Sequence, residues 1–377
     1  MKFLLPSSVI TNKMNAMSKV LNAKPVQPVL DNFLMELDGE SLHITASDGE
    51  CTQCSIIPLT KAEGQGKFCL PTDRMLAALK NLPDQPIAFH IDETTHSVNV
   101  KYKNGKYDLM AYNGDDYPQF SPIDDSHGRV QLEAKVLYAG IQQTMVAIGT
   151  DELRPMMCGI CFTLKENRLE VVATDGHKMI RGRYKTEMQG EPFSFVLPVK
   201  AAKIVRGLTN KNDTSQVTIT WNGREAIFQF EHDTFRCRLL EGRYPNYNSV
   251  IPKEHTRTAT IDRTDLLYAM RRVGGFCSTA NGCIALDFSG ASLNVSGKNI
   301  DYSTSAEELL FCSYAGEPLR IGFKSEFFQQ MIENLNTQEV IIKMGEASRA
   351  AIIEPVADDG DWELLSLLMP MMLNDFE

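Results

Sequence analysis

The chain has 377 residues, 43% hydrophobic and 23% charged, with a net charge of −10 at pH 7. That composition suits a globular protein with room for two or three cores, and the acidic balance argues against a domain that grips nucleic acid over its whole surface. No run approaches the roughly 18 apolar residues of a membrane-spanning helix, and nine cysteines, an odd number spread over the length, fit reduced thiols better than a disulfide framework.

In Met1-Lys-Phe-Leu-Leu-Pro6 the apolar run is cut short by proline, so it reads as a first strand and not a signal peptide. The expected location is therefore cytoplasmic, with no membrane partner. Ile10, Met14, Met17 and Leu21 fall at helical spacing and predict a helix over 8–21. Two alternating stretches, 33–37 and 42–45, flank Asp38-Gly39 and predict a hairpin. The step Leu70-Pro71 opens a second helix whose buried stripe is Met75, Leu76, Leu79 and Leu82, because proline is tolerated in a first helical turn. Val98, Val100 and Tyr102 then alternate ahead of Asn104-Gly105, a strong hairpin turn.

The plan then starts again. Leu169-Glu-Val-Val-Ala-Thr-Asp-Gly-His177 repeats Leu42-His-Ile-Thr-Ala-Ser-Asp-Gly-Glu50 at an interval of 127 residues. At the same interval Leu70-Pro71 returns as Leu197-Pro198, and Tyr117-Pro118 with Phe120 returns as Tyr244-Pro245 with Tyr247. The second module turns its first hairpin at Glu166-Asn167 and its last at Asn222-Gly223, behind Val217, Ile219 and Trp221. The third is fainter: a helix over 262–272, a turn at Ser289-Gly290, the strand Leu293-Asn-Val-Ser-Gly-Lys-Asn299, and Phe323-Lys-Ser-Glu326 where the others have proline.

A period this long exceeds a solenoid unit and matches an independently folding domain. The sequence thus predicts an α+β protein of three tandem similar domains, 1–127, 128–256 and 257–377, each with two helices packed on antiparallel sheets. The proline-bearing joins at 117–125 and 244–252 are short, which predicts domains in a fixed line rather than on long tethers.

Two CxxC pairs, Cys51/Cys54 and Cys158/Cys161, have zinc-ligand spacing. Each sits in strand-like sequence and in a different module, so the expectation is buried, unreactive thiols, no metal and no cofactor. Charge is unevenly placed: the helical windows together are basic while the remainder is strongly acidic. Lys200, Lys203 and Arg206, spaced i, i+3, i+6 with no acidic residue nearby in sequence, form one basic helix face able to neutralise phosphates without reading bases.

The threefold repeat, Ala173-Thr-Asp-Gly-His-Lys-Met179, Leu240-Glu-Gly-Arg-Tyr-Pro-Asn-Tyr247 and the near-terminal Met369-Pro-Met371 together resemble the bacterial DNA polymerase III beta subunits, the sliding clamps, over essentially the whole chain. The resemblance implies a clamp fold of three domains and a homodimer joined head to tail into a ring around duplex DNA, with no catalytic residue. It further implies a cleft that receives peptides of the replicative polymerase alpha subunit, the clamp loader, and other polymerases and repair proteins. Carried onto this sequence, that cleft is lined by Met157, Thr174, Gly176, His177, Lys178, Met179, Pro245, Tyr247, Val250, Leu367, Met369, Pro370 and Met371. The ring interface falls on Leu82, Tyr107 and Leu109 facing Phe276, and Lys24 is a DNA-facing position. The chain departs from the pattern where Asn374-Asp-Phe-Glu377 continues past Leu373 and where Met372 replaces a commonly basic residue.

Two other readings compete. A metal-dependent or acid–base hydrolase would use Asp175 and His177, but the twin site Asp48-Gly-Glu50 lacks the histidine and no nucleotide fingerprint occurs. A scaffold of clamp fold serving another assembly is the second, since fold alone does not fix function.

Overall fold

The computed structural model describes residues 1–22, 27–119, 128–278, 282–356 and 360–373. The chain divides into two compact units, Met1–Tyr138 with Lys200–Leu239 and Ala139–Val199 with Leu240–Glu377.

Among the described residues there are six α-helices: α1 Ser7–Met17, α2 Thr72–Leu79, α3 Ala134–Thr144, α4 Val199–Leu208, α5 Arg263–Gly274 and α6 Ser325–Asn334. Two end sooner than their apolar stripes suggest. α1 stops at Met17, where the Ser18 N–H closes on Met14 and the chain continues in single turns, so Leu21 lies beyond it. α2 stops at Leu79 because Pro83 follows and disfavours helical geometry at Leu82, which is half-buried in the turn beyond. α5 has a side-chain cap at its start: the Asp262 carboxylate accepts the N–H groups of Thr264 and Asp265 at 2.8 and 2.9 Å.

The predicted hairpins are present. Asp38 pairs with Ser41, Lys165 with Arg168 and Ser289 with Ser292, and the turns place Gly39, Glu166, Asn167 and Gly290 at φ between 52° and 60°. In the first unit a nine-stranded antiparallel sheet runs through Asn32–Asp38, Ser41–Ser47 and Cys51–Pro58 and continues into Asp233–Arg238, Glu225–Gln229 and Gln216–Trp221. In the second, Gly159–Lys165, Arg168–Thr174 and Lys178–Tyr184 continue into Trp362–Leu368, Ala351–Pro355 and Glu339–Met344. Each large sheet therefore combines strands of two successive sequence repeats, a joining that local periodicity does not reveal.

A smaller sheet accompanies each. The five-stranded one ends at Gly105–Met110 and the four-stranded one at Thr304–Phe311, so both strands are edges. Phe3 and Phe89 stack in the first unit at 4.7 Å, and Phe323 meets Phe328 in the second at 5.4 Å, marking buried cores between helices and sheets.

Candidate functional site

The repeated Asp-Gly motif is a turn. Thr174 Oγ1 donates to the Lys178 carbonyl at 2.8 Å and accepts from Gly176 N–H at 3.1 Å, while Asp175 Oδ1 accepts from the N–H groups of His177 and Lys178. Gly176 has φ +91°, a conformation costly for any side chain. The first unit builds the same device: Ser47 Oγ donates to Cys51 O, Asp48 Oδ1 accepts from Glu50 and Cys51, and Gly49 has φ +93°. The recurrence of Ser/Thr-Asp-Gly thus reflects turn chemistry, and it occupies the Asp175 carboxylate with main-chain donors.

That turn aims two kinds of surface at one place. Lys178 and Met179 begin a strand whose partner is the C-terminal strand, with Met179 opposite Leu367, and Leu367 in turn opposite Ile352. Residues directly opposite share a face, so these three, with Val172, Ala350 and Leu365, make a continuous apolar floor. Tyr244, Tyr247 and Ile251 pack over it, and the Tyr247 hydroxyl donates to Glu170, which also holds Arg183. Burial pushes both tyrosine phenols well above their ordinary value, so they stay neutral.

Beside the floor is a hollow of about 590 Å³ bordered by Met157, His177, Lys178 and Phe327. The Lys178 ammonium is almost enclosed: it donates to Gln330 Oε1 at 2.7 Å, lies 4.3 Å from the Phe327 ring centre and 3.9 Å from Asp175. Desolvation lowers its pKa, with Asp175 opposing that shift. Lys324 approaches the same ring at 4.4 Å, while His177 is exposed. Met369 joins floor to hollow: it follows the floor strand, its N–H bonds the His177 carbonyl at 2.8 Å, and its side chain is 39% exposed.

The structure therefore brings Met157, Thr174, Gly176, His177, Lys178, Met179, Tyr247, Leu367 and Met369 into one neighbourhood, with Pro245 half-buried at the start of the tyrosine-bearing turn. Three expected residues are placed differently. Val250 stands 53% exposed, and it is its neighbour Ile251 that packs on the floor. Pro370 and Met371 border a separate hollow of about 410 Å³, because the Met371 N–H is drawn to the Gly322 carbonyl at 2.8 Å. Phe327, Ile352 and Leu365 were not legible as site residues, since only strand pairing and helix placement deliver them.

The CxxC pairs also differ from expectation in one respect. Cys51 and Cys54 share a strand, where burial pushes the Cys51 thiol up to about 12. Cys158 instead closes the 3-10 turn Pro155–Met157, started by its proline, and lies outside the strand that holds Cys161.

Against known proteins, family profiles described as the DNA polymerase III beta subunit N-terminal, central and C-terminal domains match residues 1–121, 131–246 and 248–372. The chain belongs to the DNA polymerase III beta subunit family. Relatives include the beta sliding clamps of Synechococcus elongatus, 24% identical over 99% of this chain and 100% of that one, and of Vibrio cholerae, 24% identical with the same coverage. Among solved structures, a Pseudomonas aeruginosa sliding clamp bound to griselimycin superposes with a TM-score of 0.93 at 22% identity, covering 99% of this chain and 100% of that chain. The beta subunit of Thermotoga maritima gives 0.90 at 21%, covering 99% of each. At those identities the superpositions establish the fold.

For this beta subunit, the basic positions are not equivalent. Lys24 lies outside the described residues. Lys200 is not free of acidic neighbours: its ammonium donates to Asn22 Oδ1 at 2.7 Å and pairs with Asp48, whose side chain is 3% exposed. The partner is distant in sequence, which is why the local spacing gave no hint of it. Lys203 is exposed and Arg206 partly so on the same helix. Of the interface positions, Tyr107 and Leu109 lie half-buried on the edge strand Gly105–Met110, and Phe276 is 45% exposed just beyond α5.

Proposed function

We infer that this beta subunit works as a DNA sliding clamp, a processivity factor that encircles duplex DNA and tethers the replicative polymerase. Membership in the family across all three domain profiles carries the reading. Two copies close head to tail, with Leu82 and, on one exposed sheet edge, Tyr107 and Leu109 meeting Phe276 of the second copy; a heterologous contact of this kind gives a ring when its rotation closes. Lys24, Lys203 and Arg206 face the DNA, and Lys200 contributes through its fixed position. The acidic balance elsewhere discourages DNA from settling on other surfaces. Topology prevents escape, so phosphate contacts can stay weak and permit sliding.

Partners dock in the cleft around Met369. An extended peptide from the polymerase alpha subunit lays apolar side chains on the Met179–Leu367 floor and reaches past Met369 to His177 and Met157. Methionines suit a site with several ligands because their side chains are flexible and polarisable. The clamp loader and other polymerases or repair proteins use the same surface in competition, and the subunit performs no chemistry of its own. Retention on nicked circular DNA after treatment with loader and ATP tests the function. The protein should stay on circles and run off after linearisation; failure to load, or equal loss from both, overturns the clamp reading in favour of a scaffold.

A further inference from the structure

The strand registers of the two large sheets match residue for residue, and the match carries the cleft of the second unit onto a different surface in the first. Counting back 127 residues, Val172, Met179, Tyr244 and Pro245 become Thr45, Thr52, Tyr117 and Pro118. Strand pairing extends the correspondence: Arg236 lies opposite Thr52 as Leu367 lies opposite Met179, and Ile227 lies opposite Arg236 as Ile352 lies opposite Leu367. Thr234 opposite Cys54 likewise takes the place of Leu365 opposite Arg181.

The backbone plan is thus conserved between the units while the chemistry of the floor is replaced. Met179, Leu365, Leu367 and Val172 give way to Thr52, Thr234, Arg236 and Thr45, and the surface is an open groove of about 550 Å³ beneath Tyr117 and Pro118. An apolar peptide finds no floor here. Leu34 and Ile227 leave short apolar contacts at the ends, and the threonines offer hydroxyls between them.

Charge selects the ligand. Lys67 is paired with Asp115 at 2.7 Å and Arg236 with Glu225 at 2.5 Å, so both cations of the groove are already neutralised. Glu36, directly opposite Lys67 on the neighbouring strand, is half-buried; its charge acts on the Lys67 ammonium, which Asp115 holds, but its carboxylate makes no hydrogen bond or close ion pair among the described residues. The groove crosses six neighbouring strands at about 4.8 Å spacing, a span of roughly seven residues of extended chain.

We propose that this face is a second docking groove, which takes an extended peptide presenting one lysine or arginine to Glu36. The expectation of an extended peptide rests on the cleft reading for the second unit; the location and charge preference rest on register and ion pairing in the first.

The test uses the full-length protein and a fluorescent blocked pentapeptide of threonine and valine with a central lysine, alongside its glutamate-centred counterpart and an apolar polymerase-tail peptide. The lysine peptide should bind, and Glu36→Gln should weaken it roughly tenfold, the range of a charge-assisted contact. Thr234→Trp should fill the groove and abolish binding, Met369→Ala should leave it unchanged, and both groove variants should still bind the apolar peptide. Equal binding of the lysine and glutamate peptides, indifference to Glu36→Gln, or no binding of the lysine peptide at millimolar concentration, as for a groove already filled by the chain itself, overturns the proposal. If only the apolar peptide fails to bind, the cleft reading falls and the groove stands.

Discussion

The Met369 N–H and the His177 carbonyl meet at 2.8 Å, fastening the end of the C-terminal strand to the Asp-Gly-His turn. The bond extends the strand pairing that already sets Lys178 opposite Leu368 and Met179 opposite Leu367. Met369→Ala keeps the main-chain bond and removes only the exposed side chain, so folding and dimerisation should be preserved. Affinity for a polymerase-tail peptide should fall by roughly 1–3 kcal/mol, the cost of truncating a central contact. His177→Ala should act in the same direction. Fluorescence anisotropy with the labelled peptide checks both, and unchanged affinity would remove the cleft assignment.

Gly49 and Gly176 make a controlled pair. Both have φ near +90°, but a Cβ at Gly49 meets nothing within 4 Å, whereas one at Gly176 lies 2.9 Å from Arg154 Nη1. Each alanine substitution should cost about 1–2 kcal/mol from backbone strain alone. Gly176→Ala should additionally displace the Arg154 guanidinium from the border of the hollow. Urea denaturation should show similar losses for the two variants, with peptide binding impaired only by Gly176→Ala.

Lys178 titrates below its ordinary value of 10.5 because burial disfavours the ammonium. Between that lowered value and 10.5 the unfolded chain binds the proton more tightly than the folded one. This group's contribution to stability therefore rises with pH across the window and is least favourable below it. Side-chain NMR with labelled lysine should show one resonance, lost in Lys178→Met, that deprotonates before the others. A Lys178 resonance titrating with the rest would mean that the ammonium reaches water.

Lys200 and Lys203 should separate structural from electrostatic roles on one helix. Lys200→Ala strips the enclosed Asp48 carboxylate of its cation and should destabilise the protein by roughly 1–3 kcal/mol. Lys203→Ala should leave the unfolding midpoint nearly unchanged and flatten the salt dependence of DNA binding by about one unit of logarithmic slope, if it contacts a phosphate. Denaturation curves and binding titrations over a salt series distinguish the two.

The sequence by itself determined the repeat, the element types and the turns, because each is set by local interactions. Helical spacing at Ile10, Met14 and Met17, alternation ahead of Asn104-Gly105 and the left-handed glycine of each Asp-Gly turn are short-range physics. It also marked His177, Met179 and Met369 as candidates, since those lie in motifs that can be matched piece by piece. Tertiary structure alone decided what those residues face. Strand pairing across 188 positions sets Met179 against Leu367, helix placement brings Phe327 to Lys178, and the Met371 N–H meets the Gly322 carbonyl. Asp48, which the sequence presents only as a turn residue, becomes the partner of Lys200. These outcomes come from hydrogen-bond registers and ion pairs between distant segments, and the energies that fix them exist only once the sheets have closed.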